Sequence, residues 1–110
     1  MKSSQSTIKC AILLATHNGI LWIEKQLLSI LKQDKVSVTI FVSDDMSEDG
    51  TFEKISSMLQ LYNNIKILPR KKHGTPANNF HYLLTFSDFS NYDYVAFSDQ
   101  DDIWSEDKLF

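Results

Sequence analysis

The sequence predicts an α/β fold: a parallel sheet of four strands with helices on both of its faces. Three observations predict it. Four short apolar runs alternate with three stretches whose apolar residues recur every three or four positions, the pattern of strands joined by crossover helices. The first run, Lys9-Cys10-Ala11-Ile12-Leu13-Leu14-Ala15, is apolar at every position after Lys9, as suits a strand covered on both faces. Each run also stops at a polar cluster, and in a parallel sheet all such clusters fall along one edge, where ligands bind.

Taken in order, residues 1–8 read as a polar, disordered tail ahead of one domain spanning 9–110. The first strand ends at the turn Thr16-His17-Asn18-Gly19. Ile20, Ile23, Leu27 and Ile30/Leu31 then mark an amphipathic helix, broken at Gln33-Asp34-Lys35. Val36, Val38, Ile40, Phe41 and Val42 form the second strand, which stops at Ser43-Asp44-Asp45. A second helix runs from about Thr51 to Tyr62, with Phe52, Ile55, Leu59 and Tyr62 on one stripe and the acids Glu48, Asp49 and Glu53 at its positive end. Ile65 to Leu68 is a short third strand closed by Pro69. Thr75 and Pro76 start the third helix as N-cap and first-turn proline, with Phe80, Leu83 and Leu84 inward. The fourth strand, about Asp93 to Phe97, leads into Ser98-Asp99-Gln100-Asp101-Asp102.

Composition bounds the function. With 110 residues and 43% apolar content the chain supports one small core. A net charge of −3 offers no basic footprint for nucleic acid, and the only basic cluster is Arg70-Lys71-Lys72. The single Cys10 excludes an internal disulfide and a cysteine-rich metal site. No apolar run approaches the ~20 residues of a membrane span, and the polar N-terminus lacks the apolar segment of a signal peptide. A cytoplasmic chain, at most peripheral to the inner membrane face, is expected. Ser105 to Phe110 resembles the opening turn of a further helix, so the chain reads as the front part of a longer domain.

Three carboxylates in four positions, Asp99, Asp101 and Asp102, repel one another unless a cation lies among them. Hard oxygen donors favour Mg²⁺, Mn²⁺ or Ca²⁺, and a metal held by two carboxylates keeps positions for substrate phosphates. The alternative is a solvated acidic turn. Other phosphate and calcium motifs fail. The dinucleotide pattern G-x-G-x-x-G has only Gly19 to offer, and no P-loop is present. The stretch Asp45-x-Ser47-x-Asp49-Gly50 begins like a calcium loop, but the twelfth position is Ser56 instead of glutamate.

Three segments together resemble the family 2 glycosyltransferases: Ala15-Thr16-His17-Asn18-Gly19, then Asp44-Asp45-Met46-Ser47-Glu48-Asp49-Gly50-Thr51, then Phe97-Ser98-Asp99-Gln100-Asp101-Asp102-Ile103-Trp104. The likeness runs from about Lys9 to the end, and the last segment carries the D-x-D signature in a form similar to bacterial enzymes of surface-polysaccharide synthesis, including rhamnosyltransferases. The resemblance implies the Rossmann-like, nucleotide-binding half of a GT-A fold. It implies a nucleotide-sugar donor (UDP- or dTDP-linked), a glycan or lipid-linked acceptor, and Mn²⁺ or Mg²⁺ as cofactor. It places Ala15, Thr16, His17 and Asn18 around the base, with the ring of His17 where the family usually has tyrosine. Asp45 would accept from the base, Asp44 would shape the loop, and Arg70 or Lys72 would lie beside base or phosphates. Asp99 would meet the ribose or the metal, Asp101 would coordinate the metal, and Asp102 would orient that shell.

The family's catalytic base and acceptor site come from the second half of the domain, so this chain alone is expected to bind donor without transferring sugar. Two other readings stand beside this one: a truncated, non-catalytic nucleotide-binding module, and a metal-dependent phosphoryl-transfer domain. The latter places its paired acids after the first strand, whereas here the densest cluster follows the fourth. Apolar surface left at the last strand is expected to promote self-association. His73, His81, Asn78 and Asn79 are read as surface or capping residues.

Overall fold

The structure, a computed structural model, describes residues 8–33 and 35–98. Its elements follow the order β1 (Ile8–Thr16), α1 (Ile23–Leu31), β2 (Val36–Asp44), α2 (Thr51–Leu59), β3 (Ile65–Ile67), α3 (Pro76–Phe86) and β4 (Tyr94–Ser98). The strands form a four-stranded sheet in the order β3-β2-β1-β4, and every pairing is parallel. Ile8, expected in the tail, is the first residue of β1 and lies opposite Val36. Asp99, Asp101, Asp102 and Trp104 lie outside the described residues, as does Asp34.

Strand alternation divides the core into two layers. Cys10, Ile12 and Leu14 of β1, with Val38, Ile40 and Val42 of β2, face α1 and α2 and pack against Ile23, Leu27, Ile30, Ile55 and Met58. Ala11, Leu13, Ala15 and Phe41 face the other way, against Leu83 of α3 and Leu68, with Phe89 and Tyr92 edge-on to Phe41. Helices therefore cover both faces, and β1, in the middle, is buried from Cys10 to Thr16.

Two inward stripes differ in detail from the sequence expectation. In α2 the buried residues are Thr51, Ile55 and Met58, while Leu59 is exposed and the helix stops there, short of Tyr62. Buried there, Thr51 accepts from the Gly19 amide through its hydroxyl. In α3, Leu84 is exposed and Asn79 takes the buried position one turn before Leu83. The edge strand β4 leaves Tyr94, Val95 and Phe97 exposed.

Candidate functional site

The loops that follow β1, β2 and β3 meet at the C-terminal edge of the sheet, and the acidic motif after β2 ties them together. Asp44 is fully buried (0% exposed). Its Oδ1 accepts from the hydroxyls of Thr16 (2.7 Å) and Ser47 (2.6 Å). Its Oδ2 accepts from the Ser47 amide (2.9 Å) and from Nη2 of Arg70 (3.2 Å). A buried carboxylate is tolerable only with such a set of donors and a cation beside it. Ser47 passes the connection on, since its Oγ also accepts from the Asn18 amide (2.7 Å). Asn18 is left-handed (φ 50°), a conformation asparagine tolerates, and its Oδ1 accepts from the Glu48 amide (2.8 Å).

Asp49 accepts from the amides of Ile20 (3.1 Å) and Thr51 (3.0 Å) and from the Thr51 hydroxyl. Desolvation, the largest single effect, pushes its pKa up, but the Thr51 hydroxyl and the backbone amides together outweigh this and hold it below the ordinary carboxylate value. Gly50 precedes α2 at φ 98°, a backbone conformation that favours glycine, while a Cβ there would make only an ordinary contact with the Ile20 side chain at 3.7 Å. Each polar member of the motif thus braces one loop against another.

Asp45, next in the chain, points to the third loop. Its two oxygens accept from the backbone amides of His73 (2.6 Å) and Gly74 (2.9 Å). Two of roughly four lone-pair positions of the carboxylate are thereby used. Its own carbonyl accepts from Nδ1 of His17 (2.6 Å); a carbonyl only accepts, so Nδ1 carries the proton.

Between these loops and the start of α3 lies a cleft of about 1040 Å³. Of the residues expected at a nucleotide, Ala15, Thr16, His17, Asn18, Asp45, Arg70 and Lys72 line it. Asp44 does not: it lies beneath the cleft floor, and its work is to hold the loops. Thr16 reaches the cleft with its hydroxyl already donated to Asp44, so its side chain braces the floor. Arg70, expected beside base or phosphates, lines the cleft and also pairs with Asp44, donates to the Ser47 carbonyl (2.7 Å) and lies over the Phe52 ring at 4.2 Å. It brings a cation to the buried carboxylate on a loop that has just left β3. The apolar wall is made by Pro76 and Phe80.

Two contributors differ from the sequence expectation, which made His73 a surface residue and Asn79 a capping one. His73 is half-buried, stacks at 4.6 Å on Tyr82 and lies 3.5 Å from the buried Ser43 hydroxyl. Asn79 is 2% exposed and lines the cleft. Its Nδ2 donates to the carbonyls of Ser43 (3.0 Å) and Thr16 (3.4 Å), pinning α3 to the ends of β2 and β1. The signal for Asn79 was its place four residues before Leu83, on the inward stripe of an amphipathic helix.

On the fourth strand, Ser98 is buried beside Leu14 and accepts from Nε2 of Gln26 (3.2 Å), so β4 ends at the same edge as the cleft. Among the described residues no group of three or more histidine, cysteine, aspartate or glutamate side chains is placed to hold a metal ion. Asp99 and Asp101, the expected metal ligands, lie beyond the described residues.

Comparison with known proteins bears on the fold and the family. The dTDP-rhamnosyl transferase RfbG of Shigella flexneri is 47% identical over 98 residues, covering 87% of this chain and 34% of that protein. A crystal structure of S. aureus TarS superposes with a TM-score of 0.77 at 24% identity, covering 93% of this chain and 30% of that one. The mannosyltransferase PcManGT from Pyrobaculum calidifontis, in complex with GDP-Man and Mn²⁺, gives 0.77 at 20% identity, covering 91% and 30%. Those two likenesses are of fold, the GT-A arrangement. The chain therefore spans about a third of the length of the relatives it matches. The sequence profile described as "Glycosyl transferase family 2" matches residues 11–110, nearly the whole chain, and the chain belongs to that family.

Proposed function

We propose that this chain is the donor-binding half of a nucleotide-diphosphate-sugar-dependent glycosyltransferase, acting on a glycan or lipid-linked acceptor in cell-surface polysaccharide synthesis. The observation that carries the reading is the convergence of three loops and an asparagine-pinned helix on one cleft at the carboxyl edge of a parallel sheet. Its volume is at the upper end of small-molecule sites, which suits a donor of that size. The likeness to a dTDP-rhamnosyl transferase favours a dTDP-sugar, with a UDP-sugar next.

In this reading His17 and Phe80 offer ring surface to the base, and a free lone pair of Asp45 accepts from it. Lys72 faces the phosphates. Asp99 and Asp101, two hard carboxylate donors one residue apart, fit a Mn²⁺ or Mg²⁺ ion, which would offset the negative charge that grows on the leaving diphosphate. The acceptor hydroxyl needs a general base within hydrogen-bond reach. In a full-length protein three times as long, that base and the acceptor site would come from the remainder. This chain alone is then a nucleotide-binding unit without transfer activity. No described helix is long and apolar enough to cross a membrane, and we place the protein on the cytoplasmic side, peripheral to the inner membrane face.

Calorimetric titration of dTDP, UDP and GDP, with and without Mn²⁺, into the native chain and Asp101→Ala tests the proposal. Metal-dependent binding that Asp101→Ala abolishes supports it. Binding indifferent to metal and to position 101 would remove the metal-bridged diphosphate from the account.

A further inference from the structure

Lys71 and Lys72 form a ridge between the donor cleft and a second, shallower hollow of about 480 Å³ on the outer side of α3. Asn78, His81, Tyr82 and Thr85 line this hollow at the spacing of a single helical stripe, opposite the buried Asn79 and Leu83. Tyr82 is its centre. The ring stacks with His73 at 4.6 Å and Phe86 at 5.1 Å, lies 5.8 Å from Nζ of Lys71, and sends its hydroxyl to the Pro69 carbonyl at 3.1 Å. Phe86 is 67% exposed.

The charge is as lopsided as the hydropathy. Residues 69–86 contain Arg70, Lys71 and Lys72 and no aspartate or glutamate, a local +3; the whole chain carries −3, so everything else carries −6. Arg70 is spent on Asp44, but neither Lys71 nor Lys72 has an ion pair among the described residues. Two exposed lysines beside exposed aromatic rings match the interfacial zone of an anionic bilayer, where lysines meet headgroups and apolar side chains reach the acyl boundary. A soluble polyanion would use the same lysines and leave Phe86 in water.

We propose that the β3–α3 loop and the outer face of α3 are a docking surface for a bilayer containing anionic phospholipid. The surface borders the donor cleft through Lys71 and Lys72, so docking would bring the cleft mouth to the headgroup layer. The inference deepens the peripheral placement proposed above and rests on it for the choice of a bilayer. Donor binding is read by calorimetry and docking by sedimentation, so either can fail without the other.

The test is co-sedimentation of the native chain with vesicles of phosphatidylcholine alone and of phosphatidylcholine mixed with phosphatidylglycerol, at low and high salt. Binding is expected only to the mixed vesicles, weaker at high salt. Lys71→Glu should weaken it by about tenfold or more, since each lysine near such a surface counts for roughly 1 kcal/mol and reversal counts twice. Phe86→Ser should also weaken it. Lys32→Glu makes the same charge change at the end of α1, on the other side of the sheet, and should cost far less. All three side chains are exposed, and far-ultraviolet circular dichroism should show an unchanged fold. Three results would overturn the proposal: equal binding to neutral vesicles, an equal loss in Lys32→Glu and Lys71→Glu, or retention on heparin by a chain that ignores both vesicles.

Discussion

Replacing Asp44 by asparagine keeps the shape of the side chain and changes only what it can accept. Oδ1 would still accept from Thr16 and Ser47, as it does now at 2.7 and 2.6 Å. The new amide would face the Ser47 amide and Arg70 Nη2, donor against donor, where Oδ2 now accepts at 2.9 and 3.2 Å. A hydrogen bond to a charged group contributes about 1.5–3 kcal/mol, and two are lost. Arg70 is 24% exposed at its side chain, so water recovers part of its share. The expected cost is about 3 kcal/mol, a large part of the ~5–15 kcal/mol that holds such a domain together. For a chain of this size that is about 12–20 °C in Tm. Thermal unfolding followed by circular dichroism measures it. A drop of only a few degrees would show that Asp44 is not the joint between the loops after β1, β2 and β3, and the account of the acidic motif as a brace would be wrong.

Leu83 is the one fully buried apolar side chain of α3, and Leu83→Ala should cost about 2–5 kcal/mol in chemical denaturation and weaken dTDP binding by loosening the cleft wall; a cost under about 1 kcal/mol would mean α3 is held by other contacts. Asp49 has its folded pKa depressed below the ordinary 3.8, so its contribution is present above that value and fades as pH falls through the folded pKa. Thermal scans from about pH 5 downward should therefore show a steeper loss of Tm in the native chain than in Asp49→Asn, and parallel curves would refute this. The exposed Tyr94, Val95 and Phe97 on the β4 edge should drive self-association of the isolated chain in sedimentation, and Phe97→Lys should shift it toward monomer; a native chain that is monomeric throughout would contradict it.

The layered fold was legible because hydrophobic periodicity reports directly on which faces are covered. The uninterrupted run from Cys10 to Ala15 could only be a doubly covered strand, and it became the buried β1. What sequence could not resolve was the direction of polar side chains at the sheet edge. Asp44 and Asp45 are adjacent and chemically identical, yet strand alternation sends one beneath the floor to Arg70 and the other toward the His73–Gly74 amides. Arg70 reads in sequence as a phosphate contact, and nothing local reports that it also pairs with the buried Asp44. Asn79 hid behind the general preference of asparagine for helix starts, when its position on the inward stripe was the better guide. His73 owes its place to two contacts, with Asp45 and Tyr82, that bridge 28 and 9 positions of chain, and no local pattern reports them.

The most direct measurement is a map of backbone amide shifts in the isotope-labelled chain as dTDP is added with Mg²⁺. The account predicts that the largest changes fall on the amides of 16–18, 45–46 and 71–75, the loops that border the cleft, while the amides of α1 and of β3 stay still. Changes centred on the opposite, amino-terminal edge of the sheet, or scattered with no relation to these loops, would contradict it.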